Sequence, residues 1–214
     1  MTSKSLPSLY YGIDPDLHTA AIAGIVHFPA SYPNAGLWPF GAWVVKSKGD
    51  KAGDAVLSMT DAFIDFIHLT QLLPQIRTPY DPWPCFVIEH QDVTYTGKSG
   101  KNPQDTLNLS TAAGAMLAAL RTVWHDPRNT FMLPSPKKWK QQQPKHINQG
   151  RTFDRFGWTD REIRGTKKDR YVFPHDVHTS ALMGRDTWTM QDWKHLGDAF
   201  GLARYGAEHG TRAT

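Results

Sequence analysis

Leu9-Tyr10-Tyr11-Gly12-Ile13-Asp14 is the stretch on which the reading of this chain turns. An apolar run closed by an acid and then Pro15 reads as a buried strand, spanning 8–14, whose last residue reaches the end of a sheet. Working outward, residues 18–28 are rich in Ala, Ile and Val and read as a second strand, and 40–46 as a third. The proline-bearing stretch 29–39 between them reads as a loop. Val56, Met59, Phe63, Phe66 and Ile67 recur at helical spacing and predict a helix over 51–73. Cys85-Phe86-Val87-Ile88-Glu89 repeats the first pattern, a short apolar strand ending on an acid. A second helix follows, with Leu109, Ala113, Met116, Leu117, Leu120 and Trp124 on its stripe and Gly114 expected to allow close packing. Residues 129–133 read as a fifth strand, and the spacing of Thr159 and Glu162 predicts a capped short helix over 159–170. Residues 174–189 read as a loop. In the last helix, 192–203, Trp193, Leu196, Phe200 and Ala203 form one buried stripe, while His195 and Asp198 project together from an adjoining face.

This order predicts an α/β fold: a mixed five-stranded sheet, a three-strand antiparallel meander plus two parallel strands, flanked by helices. Parallel strands bring their C-terminal ends to one edge, where ligands collect in open α/β sheets. Asp14 and Glu89 are expected to meet there. Converging carboxylates repel one another, and burying them unpaired costs several kcal/mol per ion. A divalent cation resolves that conflict, and oxygen ligands select Mg²⁺ or Mn²⁺. Two such ions can activate water and stabilise the leaving oxygen of an in-line displacement. Spacing leaves His195 either as a neutral ligand or as the acceptor of a proton from the attacking water.

Composition narrows the class. The 214 residues suit one domain, 1–214, with a basic insertion around 134–190. Residues 137–170 hold 11 of the 24 Lys and Arg but 4 of the 20 acids, so this segment carries +7 and the remainder −3. Such asymmetry favours a polyanionic partner. Cys85 is the single cysteine and reads as a small buried hydrophobe, which excludes an intrachain disulfide framework. No apolar run approaches the length of a membrane span, and residues 1–8 lack a signal-peptide pattern, so a soluble, cytoplasmic protein is expected.

Gly12-Ile13-Asp14-Pro15, Val87-Ile88-Glu89-His90-Gln91 and His195-Leu196-Gly197-Asp198-Ala199 together resemble the three acidic motifs of RuvC-type Holliday junction resolvases, members of the ribonuclease H-like superfamily. The resemblance implies Asp14, Glu89, His195 and Asp198 as catalytic residues and metal ligands. It also implies Mg²⁺-dependent (Mn²⁺ substituting), paired nicking of four-way DNA junctions by a homodimer, with two ions per site. Asp16 stands where the family usually has Gly, and His195 where many relatives have Asp, which lowers the negative charge of the site by one. Relatives with insertions of this kind suggest a bacteriophage-encoded protein.

Lys137, Lys138, Lys140, Lys145 and Arg151, with Arg155 beside them, are candidate DNA contacts, interleaved with Trp139, Phe153, Phe156 and Trp158. Trp139 and Trp158 are expected to stack on bases, whereas Phe153 and Phe156 are expected in the core of the insertion. Lys98 and Lys101 flank the loop of Tyr95, which by its place in the family is a candidate wedge at the junction centre. His175 and His178 offer too few well-spaced partners for a zinc site. Two rival functions remain open: a flap or fork nuclease on the same scaffold, and a non-catalytic junction-binding protein.

Overall fold

Strand β1 (Ser8–Asp14) is buried along its whole length because both of its faces are covered. It pairs antiparallel with β2 (Thr19–Phe28) and parallel with β4 (Cys85–Ile88), and the five-stranded sheet has the order β3-β2-β1-β4-β5. Here β3 is Gly36–Lys46, antiparallel to β2, and β5 is Thr130–Met132, parallel to β4. The computed structural model describes residues 6–47, 52–70, 83–91, 103–123, 129–141, 143–175, 177 and 188–210. No helix among them is long and apolar enough to cross a membrane.

Period-two alternation divides the sheet residues between two cores. Tyr11, Ile13, Ile22, Val45, Phe86 and Ile88 face α1 (Ala52–Thr70) and α2 (Pro103–Val123), packing on Met59, Phe63, Ile67, Met116 and Leu120. Tyr10, Ala21, Ala23, Ile25, Cys85 and Val87 face the last helix, α5 (Asp192–His209), through Leu196, Ala199, Phe200 and Ala203. The expected meander, the parallel pair, the buried stripe of α5 and the buried Cys85 are all present. This is the ribonuclease H-like arrangement.

Three local expectations are corrected. Strand β3 begins at Gly36, so Pro39 lies inside a strand rather than in a loop. The sheet tolerates it because β3 is an edge strand and the register slips beside it: Gly24 faces Gly41, Ile25 faces Pro39, and Phe40 is the extra residue of a bulge. Gly114 is exposed with open space where a side chain would stand, and Ala112, Ala113 and Ala119 are the buried small residues of α2. The helix expected over 159–170 is instead a hairpin of β6 (Arg161–Thr166) and β7 (Asp169–Pro174). Gly165 takes a φ of +96° at its turn, and Tyr171 and Val172 enter the α5-side core, a tertiary gain that overrides a local capping preference.

The unassigned basic segment forms two short helices, α3 (Pro136–Lys140) and α4 (Lys145–Arg155). Its aromatic residues are core. Trp139, Phe153 and Trp158 are all buried, and Phe153, Phe156 and Trp158 pack edge-on or tilted around Phe200 and Trp193. Trp139 and Trp158 are therefore removed from the candidates for stacking on bases. Trp124, Tyr95, Lys98, Lys101 and His178 lie outside the described residues.

Candidate active site

Alternation decides where the acids point. Gly12 and Asp14 share a face of β1, and Val87 and Glu89 share the corresponding face at the end of β4. The ladder continues one residue past β4, since the Glu89 amide donates to the Ile13 carbonyl at 3.1 Å. Asp14 and Glu89 thus end adjacent parallel strands and look toward α5. That helix comes unusually close, because Gly12 leaves room for it: a Cβ there would fall within the backbone of Ala199 and Ala203. At its N-terminal end, Thr189 and Asp192 exchange hydrogen bonds in the manner of a capping box, and Lys46 pairs with Asp192 at 3.0 Å.

Asp14, Glu89 and Asp198 are consequently buried together, at 7%, 6% and 3% exposure. His195 Nδ1 lies 3.1 Å from Asp14 Oδ2. Lys140 bridges the other two acids, its ammonium 3.3 Å from Glu89 Oε2 and 3.1 Å from Asp198 Oδ2. Lys145 adds a second contact to Asp198 Oδ2 at 2.9 Å. Neutral donors add to these: Trp139 Nε1 also donates to Glu89 Oε2, at 2.8 Å, Gln91 Nε2 to Glu89 Oε1 at 2.8 Å, and Gln149 Nε2 to Asp198 Oδ1 at 2.9 Å. Gln149 is itself oriented by the Val172 amide, which donates to its Oε1 at 2.8 Å.

Electrostatics follow from this packing. Burial pushes the Glu89 carboxyl above the usual range; Lys140 opposes that push, while Asp14 and Asp198 reinforce it. Asp198 goes the other way, because Lys145 and Lys140 outweigh its burial and hold it low. Burial likewise opposes charge on Lys140, yet Asp198, Glu89 and Asp14 together hold its ammonium above the ordinary lysine range. His195 is also raised, its burial overcome by the hydrogen bond and charge of Asp14. Three acids face two ammonium groups and the His195 ring, so the charge of the cluster follows the protons held by Glu89 and His195.

Among the described residues, no three His, Cys, Asp or Glu side chains are drawn together tightly enough to hold a metal ion. The donor set nevertheless suits one. Its oxygens are hard, and Lys140 already fills the role of a cation between two of the acids.

Asp14, Glu89, His195 and Asp198, the four candidates from the sequence, lie beside one another with basic residues of the chain against them. Lys140 and Lys145, expected on DNA, pair with the acids. Lys137, Lys138 and Arg151 are exposed. Gln149 and Trp139 escape notice as positioning groups. The signal for them is Gly197 and Gly201 on α5, where a Cβ would press on Gln149 and on Trp139 at 2.6 Å each. His175 pairs with Glu162 at 3.6 Å.

No family model and no curated protein matches the sequence. Solved structures do. The chain is similar to the Thermus thermophilus RuvC structure, with a TM-score of 0.53 and 15% identity over 95% of this chain and 97% of that one. It is similar to T. thermophilus RuvC in complex with a Holliday junction substrate at a TM-score of 0.52, with the same identity and coverage. At such low identity the likeness is one of architecture, and it agrees with the strand order and helix placement found here: the chain has a ribonuclease H-like fold of the kind seen in RuvC.

Proposed function

We propose that this protein is a structure-selective DNA endonuclease that resolves four-way junctions by metal-dependent phosphodiester hydrolysis, with paired symmetric nicks made by a homodimer. The observation that carries this reading is the convergence of Asp14, Glu89 and Asp198 from β1, β4 and α5 into one buried cluster, with His195 against Asp14. A purely structural site gains nothing from three acids that raise one another's energy. The RuvC-like architecture and its junction-bound relative support the choice of DNA substrate.

Asp14, Glu89, Asp198 and His195 would hold Mg²⁺, or Mn²⁺ in its place, two ions per site. Such ions, when bound, supply an activated water and a counter-charge for the leaving oxygen. The chain's own groups do the rest. Asp14 holds the His195 ring through Nδ1, which leaves Nε2 as the one ring atom that could either ligate an ion or accept a proton. Trp139, Gln91 and Gln149 lock the carboxylate oxygens before substrate arrives, so little reorganisation is needed at the moment of reaction. Lys140 sits between Glu89 and Asp198, where a bound divalent ion would have to take its place.

Asp14→Asn tests the proposal. It should abolish Mg²⁺-dependent nicking of a synthetic four-way junction while leaving junction binding largely intact, and undiminished nicking would remove Asp14 from the mechanism. Cut mapping separates a resolvase from a flap or fork nuclease, because a resolvase nicks two opposed strands symmetrically. The non-catalytic reading draws on one specific observation, that two lysines already compensate the acids. Absence of nicking by the unmodified protein with Mg²⁺ and Mn²⁺, across branched DNAs, would favour it.

A further inference from the structure

Helices α4 and α5 also enclose a second polar site, away from the acids. A cleft of about 540 Å³ is lined by Asn148, Arg151 and Arg155 of α4 and by Arg204 of α5, with Trp139 and Gln143 completing its wall. Two carboxylates, Asp154 and Glu208, border it. Asp154 is taken up by Arg161, at 2.7 Å, and Glu208 stands 3.9 Å from Arg204 Nε, beyond hydrogen-bond reach.

The donors here exceed the acceptors. Arg204 spends one Nη on Asn148 Oδ1 at 3.0 Å, and its Nε is buried with no hydrogen-bond partner among the described residues. Asn148 is 2% exposed, and its Nδ2 is likewise buried and unpartnered among them. Burial disfavours charge on Arg204; Glu208 opposes that, while Arg155 and Arg151 add to it, and the balance lies against the charge. Three guanidinium groups and an unanswered amide around one cleft make a poor resting arrangement. One anion resolves it, since guanidinium forks match the paired oxygens of phosphate.

We propose that this cleft binds a phosphate group, and specifically a backbone phosphodiester of nucleic acid held by Arg204, Arg155 and Arg151 with the Asn148 amide. Arg204 lies six residues beyond Asp198 on α5, about 9 Å along the helix axis and about a third of a turn around it. Trp139 joins them physically. Its ring lines the cleft, and its Nε1 holds Glu89. This inference rests on the reading of the chain as a DNA-binding protein, but it needs no cleavage, so loss of nicking and loss of this site are read separately.

The test uses the full chain in EDTA, so that cleavage plays no part. Junction and linear DNA binding are measured across a salt series for the unmodified protein, Arg204→Gln and Arg155→Gln, with thermal melting in inorganic phosphate and in a 5′-mononucleotide run alongside. Each substitution is expected to weaken DNA binding and to lower the log–log salt slope by about 1. Stabilisation of the unmodified protein by phosphate or mononucleotide, lost in both variants, would instead assign the cleft to a free phosphate compound, and the phosphodiester claim would fall. Arg155 is exposed, so Arg155→Gln keeps the test valid should Arg204→Gln fold poorly. An unchanged salt slope in a folded Arg155→Gln, with no melting response to either small anion, overturns the site altogether.

Discussion

The two ends of α5 carry opposite electrostatic problems and solve them differently. Toward its N-terminal end, His195 and Asp198 join Asp14 and Glu89 in an acidic cluster that the chain answers with its own lysines. Toward its C-terminal end, Arg204 joins Arg151 and Arg155 in a basic cluster that the chain leaves short of acceptors. Both ends are seated by the same neighbour, α4, through Gln149 at one end and Asn148 at the other. The difference teaches where to look for ligands. A cluster whose charge is met internally can wait in its folded geometry, whereas one with unmet donors gains most when something binds.

The largest perturbation should strike both ends at once. Gly12→Ala forces a methyl into the α5 backbone at Ala199 and Ala203, so the helix must lift from β1. A loss of about 3 kcal/mol is expected, at the upper end of ordinary overpacking, measured as the urea midpoint. A near-neutral result would show that the ends of α5 are held independently of the strand.

Lys140→Met separates the ends. It leaves Glu89 and Asp198 without their shared cation and should cost about 3 kcal/mol in EDTA, the usual scale for removing one partner of a buried pair. Added Mg²⁺ should restore part of that loss, and melting with and without the ion measures it. Equal melting temperatures for Lys140→Met and the unmodified protein in EDTA would mean that the ammonium compensates nothing.

His195 gives a smaller, pH-dependent effect. Its pKa is raised in the fold, so its stabilisation is fully present below the ordinary value of 6.5 and is lost as pH rises through the folded value. In EDTA, His195→Gln should cost about 1 kcal/mol near pH 5.5, and that gap should close toward pH 9. A gap independent of pH would mean that protonation of this ring contributes nothing to stability. Smallest of all, Lys137→Ala with Lys138→Ala should change stability by no more than about 0.5 kcal/mol, since both side chains are exposed. The pair should still lower the salt slope of junction binding by about 2, which places them on DNA rather than in either cluster.

The frame of the fold was legible because its signals are periodic and local. Apolar runs closed by Asp14 and Glu89, and the stripe from Trp193 to Ala203, each imply a buried element whatever surrounds them. The four site residues were legible as a set for the same reason, since strand ends and helix spacing fix where they point. What sequence did not reveal depends on contacts between distant segments. Lys140 and Lys145 look like any basic run until α3 and α4 fold back over the acids. Trp139 looks like a ring for stacking until Gly201 makes space for it. The hairpin at 161–174 was hidden by a capping pattern that is real as a local preference and loses to the burial of Tyr171 and Val172.

The bulge at Phe40 has a consequence for how copies of the chain can associate. With Pro39 lacking an amide hydrogen and the ladder broken beside it, β3 offers an incoming strand an interrupted template. The opposite margin, β5, is only three residues long. Neither rim of this five-stranded sheet supports continuous extension, so runaway strand-by-strand polymerisation along it is disfavoured from the outset.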